Sequence, residues 1–269
     1  MTTNNLLLRA KALKMHGLIA HWEEAQQQPW INDLITWEET VRSQRSLERR
    51  FSSAHIGRFK PLADFDWSWP TVCDREAIDD LMQLGFIKEA ANVIFCGPNG
   101  VGKSTIAKNI AYQAIICGHA VLFTTAGQML NDLTSQDGDN ALRRRLKYYT
   151  QPALLCIDEV GYLSYSNRHA DLLFEIVSRR YEEKSTIVTT NKPFAEWREI
   201  FPNVSCVVSL IDRLVHKSEI ISIEAKSFRL KESEERHLKK QTARKTKSGS
   251  KNSKERKQWC AKKFISSNR

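Results

Sequence analysis

The stretch GPNGVGKST, residues 97–105, limits the possible folds of this 269-residue chain more than any other segment. It matches the pattern G-x-x-x-x-G-K-[ST], and it lies between an apolar run, VIFC, and a helical pattern, STIAKNIAYQAI. Glycines let the backbone N–H groups of such a loop turn inward around phosphate oxygens, and the following helix adds the positive end of its dipole. The stretch therefore predicts a phosphate-binding loop between a strand and a helix.

Two side chains of this loop have predicted roles in binding a nucleoside triphosphate. Lys103 is predicted to reach the β and γ phosphates, and the hydroxyl of Ser104 is predicted to ligate Mg²⁺. A glycine turn followed by a chance Lys-Ser pair is the alternative interpretation, and the strand-loop-helix context argues against it. The predicted nucleotide-binding residues are Gly97, Pro98, Asn99, Gly100, Val101, Gly102, Lys103, Ser104 and Thr105.

A second apolar run, ALLCIDEV, ends with two carboxylates, Asp158 and Glu159. A carboxylate at this place in a phosphate-loop protein holds Mg²⁺, which predicts that role for Asp158. The adjacent Glu159 is predicted to orient and polarise the attacking water. Taken alone, such a strand end is usually a strand that reaches a solvated loop, so the phosphate loop upstream is what favours the catalytic interpretation.

Two more residues are candidates for contact with the γ phosphate. Asn191 ends the run STIVTTN, where a side-chain amide can contact both the γ phosphate and the water; read alone, it is a turn residue before a Lys-Pro pair. Arg213 lies near the end of the helical pattern SLIDRLVH. Its guanidinium either stabilises the γ phosphate bound to a neighbouring subunit or pairs with Asp212 or Glu219 at the surface. The spacing alone leaves both open.

Short apolar runs alternate with helical patterns from about Cys73 onward. Runs that are apolar on both faces suit the centre of a parallel sheet covered by helices, so the predicted fold class is α/β with a parallel central sheet. The phosphate-loop domain is predicted to span residues 69–232, after a small helical N-terminal domain, residues 1–68, that contacts a partner or DNA. Residues 233–269, rich in Lys and Ser, are predicted to form a flexible basic tail. The apolar runs are NVIFCG, AVLFTT, ALLCIDE, STIVTTN and the weaker EIISIE.

An excess of basic residues, 41 Lys and Arg against 31 Asp and Glu, gives a net charge of +10 and favours a polyanionic partner such as DNA. Two clusters outside the tail are candidates for DNA contact, although a charge run is usually only a solvated face. They are Arg42, Arg45 and Arg49, which share one helix face, and Arg143, Arg144, Arg145 and Lys147 in ALRRRLKYY. The spacing of Trp22, Trp30 and Trp37, in contrast, predicts core packing.

The apolar runs are all shorter than the roughly 18 to 20 residues that span a bilayer, and the amino-terminal residues lack the features of a signal peptide. A cytoplasmic location without a membrane partner is therefore expected. The six cysteines lie far apart and form neither a CxxC motif nor a Cys/His cluster, which predicts reduced thiols and no cysteine-based metal site.

Four segments together resemble the IstB family, the ATP-binding helper proteins of insertion-sequence transposition: GPNGVGKS, LLCIDEVGYLSYSNRHADLLFEIVSRRYE, IVTTNKPFAEW and SLIDRLVHKSEIISIEAKSFRLKE. That family is related to DnaC and DnaA within the AAA+ ATPases, so the resemblance implies an AAA+ domain that binds ATP and Mg²⁺. It also implies that Asn191 is the sensor of the γ phosphate and that Arg213 acts across a subunit boundary. The implied partners are duplex DNA, a transposase, and further copies of the chain joined through ATP.

Two other functions stay open at this point. A helicase loader of the DnaC type shares the ATPase motifs but acts on single strands. A small-molecule kinase also uses a phosphate loop, although Glu159 and Arg213 are harder to explain in a kinase.

Overall fold

The computed structural model describes residues 3–162, 165–202, 204–228, 230–233 and 236–237, so most of the predicted basic tail lies outside the described residues. The centre of the fold is a five-stranded sheet in which all neighbouring strands are parallel. The strands are β1 (Asn92–Cys96), β2 (Val121–Thr125), β3 (Leu154–Val160), β4 (Ser185–Thr190) and β5 (Ser218–Ser222). Their order is β2-β3-β4-β1-β5. The five apolar runs of the sequence form these strands, which confirms the predicted α/β fold.

Six α-helices come before β1 in the described part of the chain, and further helices connect the strands. Two short 3-10 helices, Leu62–Asp64 and Phe194–Glu196, interrupt the connecting segments. The α-helices of the described residues are α1 (Thr3–Ala12), α2 (His16–Ala20), α3 (Trp22–Ala25), α4 (Ile31–Ala54), α5 (Arg75–Leu81), α6 (Gly85–Lys88), α7 (Lys103–Ile116), α8 (Ala126–Thr134), α9 (Asp139–Thr150), α10 (Asn167–Arg180), α11 (Trp197–Ile200) and α12 (Val204–Val215).

Both faces of the sheet are buried, which is why its strands are continuously apolar. Alternate residues of a strand point to opposite faces. Leu154 and Cys156 of β3 pack with α5, α7 and the end of α4, whereas Leu155 and Ile157 pack with α8, α9, α10 and α12. The sheet therefore separates two apolar layers and directs the carboxyl ends of its strands to one edge.

Local capping helps to start the helices that follow the strands. The hydroxyl of Thr125, the last residue of β2, accepts a hydrogen bond from the N–H of Gln128 and begins α8. Ser166 and His169 form a reciprocal capping box at the start of α10. Each cap satisfies an N–H group that the first helical turn leaves without a partner.

Arg180, the last residue of α10, is buried with only 1% of its surface exposed. Burial lowers the pKa of its guanidinium to about 10. Its hydrogen-bond acceptors among the described residues are neutral oxygens, so this arginine fastens the turn before β3 to the start of β4. They are the hydroxyl of Thr186 and the carbonyls of Tyr149, Thr150, Pro152, Ala153 and Ser185.

The long helix α4 contacts two separate apolar clusters. Its first half packs with α1, α2 and α3 around Ala10, Ile31 and Ile35. Its last turn joins the sheet layer through Ala54, with the partly buried Phe51 packed beside it. The predicted division of the chain near residue 68 stays a prediction.

The expectation that three N-terminal tryptophans pack in a core is wrong for two of them. Trp22 is partly buried against the N-terminal cluster, but Trp30 is 48% exposed and Trp37 is 63% exposed. The short helices α1 to α3 cover the face of α4 that carries Ile31 and Ile35, and the two tryptophans lie outside it. In the part of the chain that the structure describes, no helix is both long and apolar enough to cross a membrane.

Candidate functional site

A cavity of about 250 Å³ opens at the carboxyl ends of β1, β3 and β4. Residues 99–105 form its floor, at the start of α7. One end of the cavity is polar and is lined by Ser104, Glu159 and Asn191; the other end is aromatic. The three aromatic residues at that end are Phe65, Trp69 and Phe228.

Two glycines of the loop leave room for neighbouring chain segments that a larger residue would push away. Gly102 has a φ of +108°, in the left-handed region, and a Cβ on it would lie 2.5 Å from the ring of Phe65. A Cβ on Gly97 would lie 2.1 Å from the carbonyl oxygen of Ile223. Side chains at these two positions would push away the segments that enclose the cavity.

Lys103 is the first residue of α7 and is 7% exposed. Its Nζ donates hydrogen bonds to the carbonyl oxygens of Gly97 at 2.6 Å and Pro98 at 2.7 Å. The cation is thus held over the loop at a helix N-terminus, where a phosphate anion is also favoured.

Ser104 and Asp158 meet at the polar end of the cavity. The Ser104 hydroxyl donates to Oδ1 of Asp158 at 2.8 Å, and the carboxylate is 7% exposed. Mg²⁺ typically takes one or two carboxylates together with substrate phosphates and keeps several waters. A hydroxyl and a single carboxylate beside a phosphate loop therefore fit this ion. No larger cluster of His, Cys, Asp and Glu that could hold a metal occurs in the described ranges.

Glu159 and Asn191 lie at the edge of the same end. Glu159 has a φ of +63° and an exposed side chain that lines the cavity. The Oδ1 atom of Asn191 is buried without a hydrogen-bond partner among the described residues. A buried acceptor left alone costs roughly 1–3 kcal/mol, so a donor from a ligand or a bound water is expected there.

The aromatic end is built from two irregular segments that sequence reasoning did not connect. The indole N–H of Trp69 donates to the carbonyl of Lys226 at 2.8 Å, and the ring of Trp69 meets the ring of Phe228 edge-on at 6.0 Å. The N–H of Phe228 donates to the carbonyl of Gly100 at 3.0 Å, which ties this segment to the loop. Phe65 and Trp69 lie in the stretch RFKPLADFDWSWP, whose two prolines and close aromatics break helical periodicity, whereas nothing in the pattern around Phe228 indicates a role.

Arg213 does not line this cavity. It lies in the last turn of α12, over the ring of Phe174 at 4.5 Å, and it lines a second cavity beside Tyr181. Within the described part of the chain it forms no ion pair with Asp212 or Glu219. The structure therefore brings the predicted nucleotide-binding residues together with Asp158, Glu159 and Asn191, and leaves Arg213 apart from them.

The candidate DNA-contact residues differ in what they already contact. Arg42 pairs with Glu38, and Arg145 pairs with Asp132 while its guanidinium lies 4.2 Å from the ring of Tyr148. The others are exposed and form no ion pair with a described residue. These others are Arg45 and Arg49 on α4, and Arg143, Arg144 and Lys147 on α9.

Comparison with known proteins identifies the family of the chain. The family model of IstB-like ATP binding proteins matches residues 8–236. An ATP-binding protein assigned to insertion sequence IS21 of Pseudomonas aeruginosa is 34% identical over 229 residues, which cover 82% of this chain and 86% of the relative. A relative assigned to insertion sequence IS5376 of Geobacillus stearothermophilus is 34% identical over 199 residues, covering 74% and 79% of the two chains.

A likeness to solved structures agrees with the fold. The crystal structure of DnaI superposes with a TM-score of 0.54 at 18% sequence identity, covering 66% of this chain and 98% of that chain. Together with the parallel sheet, this likeness confirms the predicted α/β fold. Since the family model covers most of the chain, we conclude that the protein belongs to the family of IstB-like ATP-binding proteins.

Proposed function

We propose that this protein is an ATP-dependent helper of insertion-sequence transposition, which assembles on duplex DNA and recruits or regulates a transposase. Its relatives are ATP-binding proteins of insertion sequences. The observation that carries the proposal is the convergence of Lys103, Ser104 and Asp158 beside one cavity at the carboxyl ends of parallel strands. By this account the chain itself cuts and joins no DNA.

In the proposed reaction, water attacks the γ phosphate of ATP, and ADP and phosphate leave. Lys103 gives up its hydrogen bonds to the two loop carbonyls and binds the β and γ phosphates. A charge-assisted hydrogen bond to a phosphate anion is stronger than one to a neutral carbonyl oxygen. Glu159 orients and polarises the water, and Oδ1 of Asn191 accepts a hydrogen bond from it. Ser104 and Asp158 would hold Mg²⁺, and the bound ion would neutralise negative charge on the phosphates.

Arg213 is proposed to complete the site of a neighbouring protomer. Among the described residues that line the cavity, the cationic side chains are Lys60 and Lys103, and no arginine is present. A second copy that brings its Arg213 to the γ phosphate would stabilise the transition state by roughly 10³-fold or more. ATP would then join neighbouring protomers, and hydrolysis would loosen the assembly.

The exposed basic side chains of α4 and α9 are the proposed DNA contacts. Arg143, Arg144 and Lys147 lie on one short helix and pair with no carboxylate of the described residues that they would have to exchange for a phosphate. Arg42 and Arg145 would first have to leave Glu38 and Asp132. Since phosphate contacts release counterions, binding is expected to be salt-sensitive and largely independent of sequence.

Binding to random-sequence duplex DNA with ATP, with ADP and without nucleotide tests the proposal. We expect larger assemblies and tighter binding with ATP. A chain that stays monomeric and holds duplex equally well in all three conditions contradicts it. A preference for single strands would favour a helicase loader instead, and ATP turnover that requires a small acceptor would favour a kinase.

The DNA contacts are tested by a variant that carries Arg143→Gln, Arg144→Gln and Lys147→Gln. The slope of log K against log salt concentration should become shallower by about 1 for each phosphate that the variant no longer neutralises. Arg179→Gln is the matched control, because Arg179 is exposed on α10 and pairs with Glu175. An unchanged slope in the triple variant would remove α9 from the interface.

The N-terminal helices are the proposed surface for the transposase. Trp30, Trp37 and Val41 form an apolar stripe along α4 and are 48%, 63% and 42% exposed. Because the end of α4 belongs to the sheet layer, substitution is a cleaner test than deletion. Trp37→Gln with Val41→Gln should reduce transposase capture and leave assembly on DNA intact, whereas Ile116→Gln, an exposed residue of α7, should change neither. Full capture by the double variant contradicts this assignment.

A further inference from the structure

A bulge in β3 interrupts the regular pairing of Asp158 and Glu159 with β4. Ile157 pairs with Val188 of β4, and the next pair joins Val160 to Thr190, so two residues of β3 lie opposite one residue of β4. That residue is Thr189, which is 2% exposed. Bulges of this kind redirect side chains at the ends of strands.

The hydroxyl of Thr189 contacts both residues of the bulge. It donates its proton to Oδ1 of Asp158, and it accepts a hydrogen bond from the backbone N–H of Glu159 at 3.0 Å. A hydroxyl has one proton to donate and two lone pairs to offer, so a single group can make both contacts. No other residue type of similar size and branching can do the same, since valine lacks the oxygen.

These two contacts act on different parts of the site. Oδ1 of Asp158 receives hydrogen bonds from Thr189 and Ser104, and together they hold the orientation of the carboxylate. The backbone of Glu159 is in the left-handed region, which is unfavourable for a residue with a Cβ and persists only when its surroundings hold it. The hydrogen bond from its N–H to Thr189 supplies that restraint.

We propose that Thr189 is a positioning residue for ATP hydrolysis, which holds Asp158 toward the metal ion and Glu159 toward the attacking water. This inference rests on the hydrolysis proposed above. It assigns Thr189 no contact with ATP, so it acts only through the two carboxylates. Thr189 is also distinct from Asn191, which would contact the water or the phosphate directly.

The test compares Thr189→Val with Thr189→Ser. Valine keeps the shape and removes the hydroxyl, and we expect kcat for ATP hydrolysis to fall on the order of 10- to 100-fold while KM for ATP at saturating Mg²⁺ stays near that of wild type. The Mg²⁺ concentration needed for half-maximal binding of a fluorescent, non-hydrolysable ATP analogue should rise by about tenfold. Removing a hydrogen-bond partner that orients a metal ligand typically weakens metal binding by at least about this factor. Serine restores the hydroxyl and should recover most of both effects.

Thr124→Val is the matched control. Thr124 is a buried threonine of β2, and its hydroxyl donates to the carbonyl of its neighbour Thr125 at 3.3 Å. We expect its kcat and Mg²⁺ dependence to match wild type. Melting temperatures of all three variants separate a loss of folding from a loss of positioning.

Three outcomes would overturn the inference: Thr189→Val with wild-type kcat and Mg²⁺ dependence, Thr189→Ser as impaired as Thr189→Val, or Thr124→Val impaired to the same degree. If the wild-type chain assembled on DNA does not hydrolyse ATP, the proposed reaction fails separately. Binding of the analogue then still decides whether Thr189 holds Asp158, since a shifted Mg²⁺ dependence supports that contact and an unshifted one refutes it.

Discussion

The two ends of the cavity at the phosphate loop are built in different ways. The side chains of the polar end lie in regular elements or directly beside them: Ser104 is in the first turn of α7, Glu159 lies in β3, and Asn191 follows β4. The aromatic end takes its side chains from Phe65, Trp69 and Phe228, which lie outside the sheet and come from segments far apart in the chain.

Hydrogen bonds between irregular segments hold the aromatic end together. Glu224 forms an isolated antiparallel bridge with Val72, and its carbonyl also accepts the N–H of Thr71 at 2.8 Å. Trp69 adds the contact to Lys226. Segments held by a few such bonds open locally more easily than the strands of a buried sheet. The residues proposed for the chemistry thus lie in or beside regular elements of the fold, whereas the aromatic end rests on a few bonds between irregular segments.

Lys103→Ala should have the largest effect on the polar end. Removing a cation that is proposed to bind two phosphates is expected to weaken ATP binding on the order of 100-fold, since hydrogen bonds to charged groups are the strong ones. Calorimetric titration with ATP measures it. Lys108→Ala, further along α7 with its ammonium over the ring of Phe123, is the control and should bind ATP normally. Equal losses in both variants would mean that the substitution acts through α7 rather than through the phosphates.

Glu159→Gln should separate binding from chemistry within the same end. The amide keeps the size of the side chain but cannot polarise water as a base, so kcat should fall by at least about 100-fold while ATP is still bound. Single-turnover hydrolysis and sedimentation of the protein on DNA check both, and the variant should remain trapped in its assembled form. Normal hydrolysis would remove the assignment of Glu159.

Trp69→Ala and Phe228→Ala should affect only the aromatic end. We expect the base of ATP to pack on these rings, and loss of such a ring costs roughly 1–3 kcal/mol, so ATP binding should weaken by about tenfold. Inorganic tripolyphosphate, which has no base, should compete with the same affinity in variant and wild type. Trp37→Ala, an exposed tryptophan outside the cavity lining, controls for loss of an indole. Weakened tripolyphosphate binding would show that the two ends are not independent.

The same contrast explains what the sequence could predict. The phosphate loop and the strand ending in Asp158 and Glu159 are local patterns, and the structure brings them together because parallel strands share one carboxyl edge. Thr189 gains its contacts from a bulge between paired strands, which no local pattern encodes. Phe228 reaches the cavity through pairing of distant segments.

Two adjacent arginines also show why burial cannot be predicted from a local pattern. Arg179 and Arg180 are adjacent in SRRYEE, yet the first is exposed and pairs with Glu175, while the second is buried among carbonyl oxygens. Which of the two points inward depends on the helix phase set by packing on the sheet. Trp30 and Trp37 are apolar residues that stay exposed. Helical spacing alone does not say whether another element covers the face of the helix on which they lie.

Lys231→Ala should have the smallest effect on ATP binding. Lys231 bridges the two segments of the aromatic end, with its ammonium 3.3 Å from Asp66 and 4.1 Å over the ring of Trp69. Hydrogen bonds from Ser68 and then from Lys231 hold the pKa of Asp66 below its usual range, but both ionic groups are partly exposed and screened by solvent. ATP affinity should therefore fall by only about twofold, and less at high salt. A loss as large as that of Trp69→Ala would mean that charge rather than aromatic packing closes this end of the cavity.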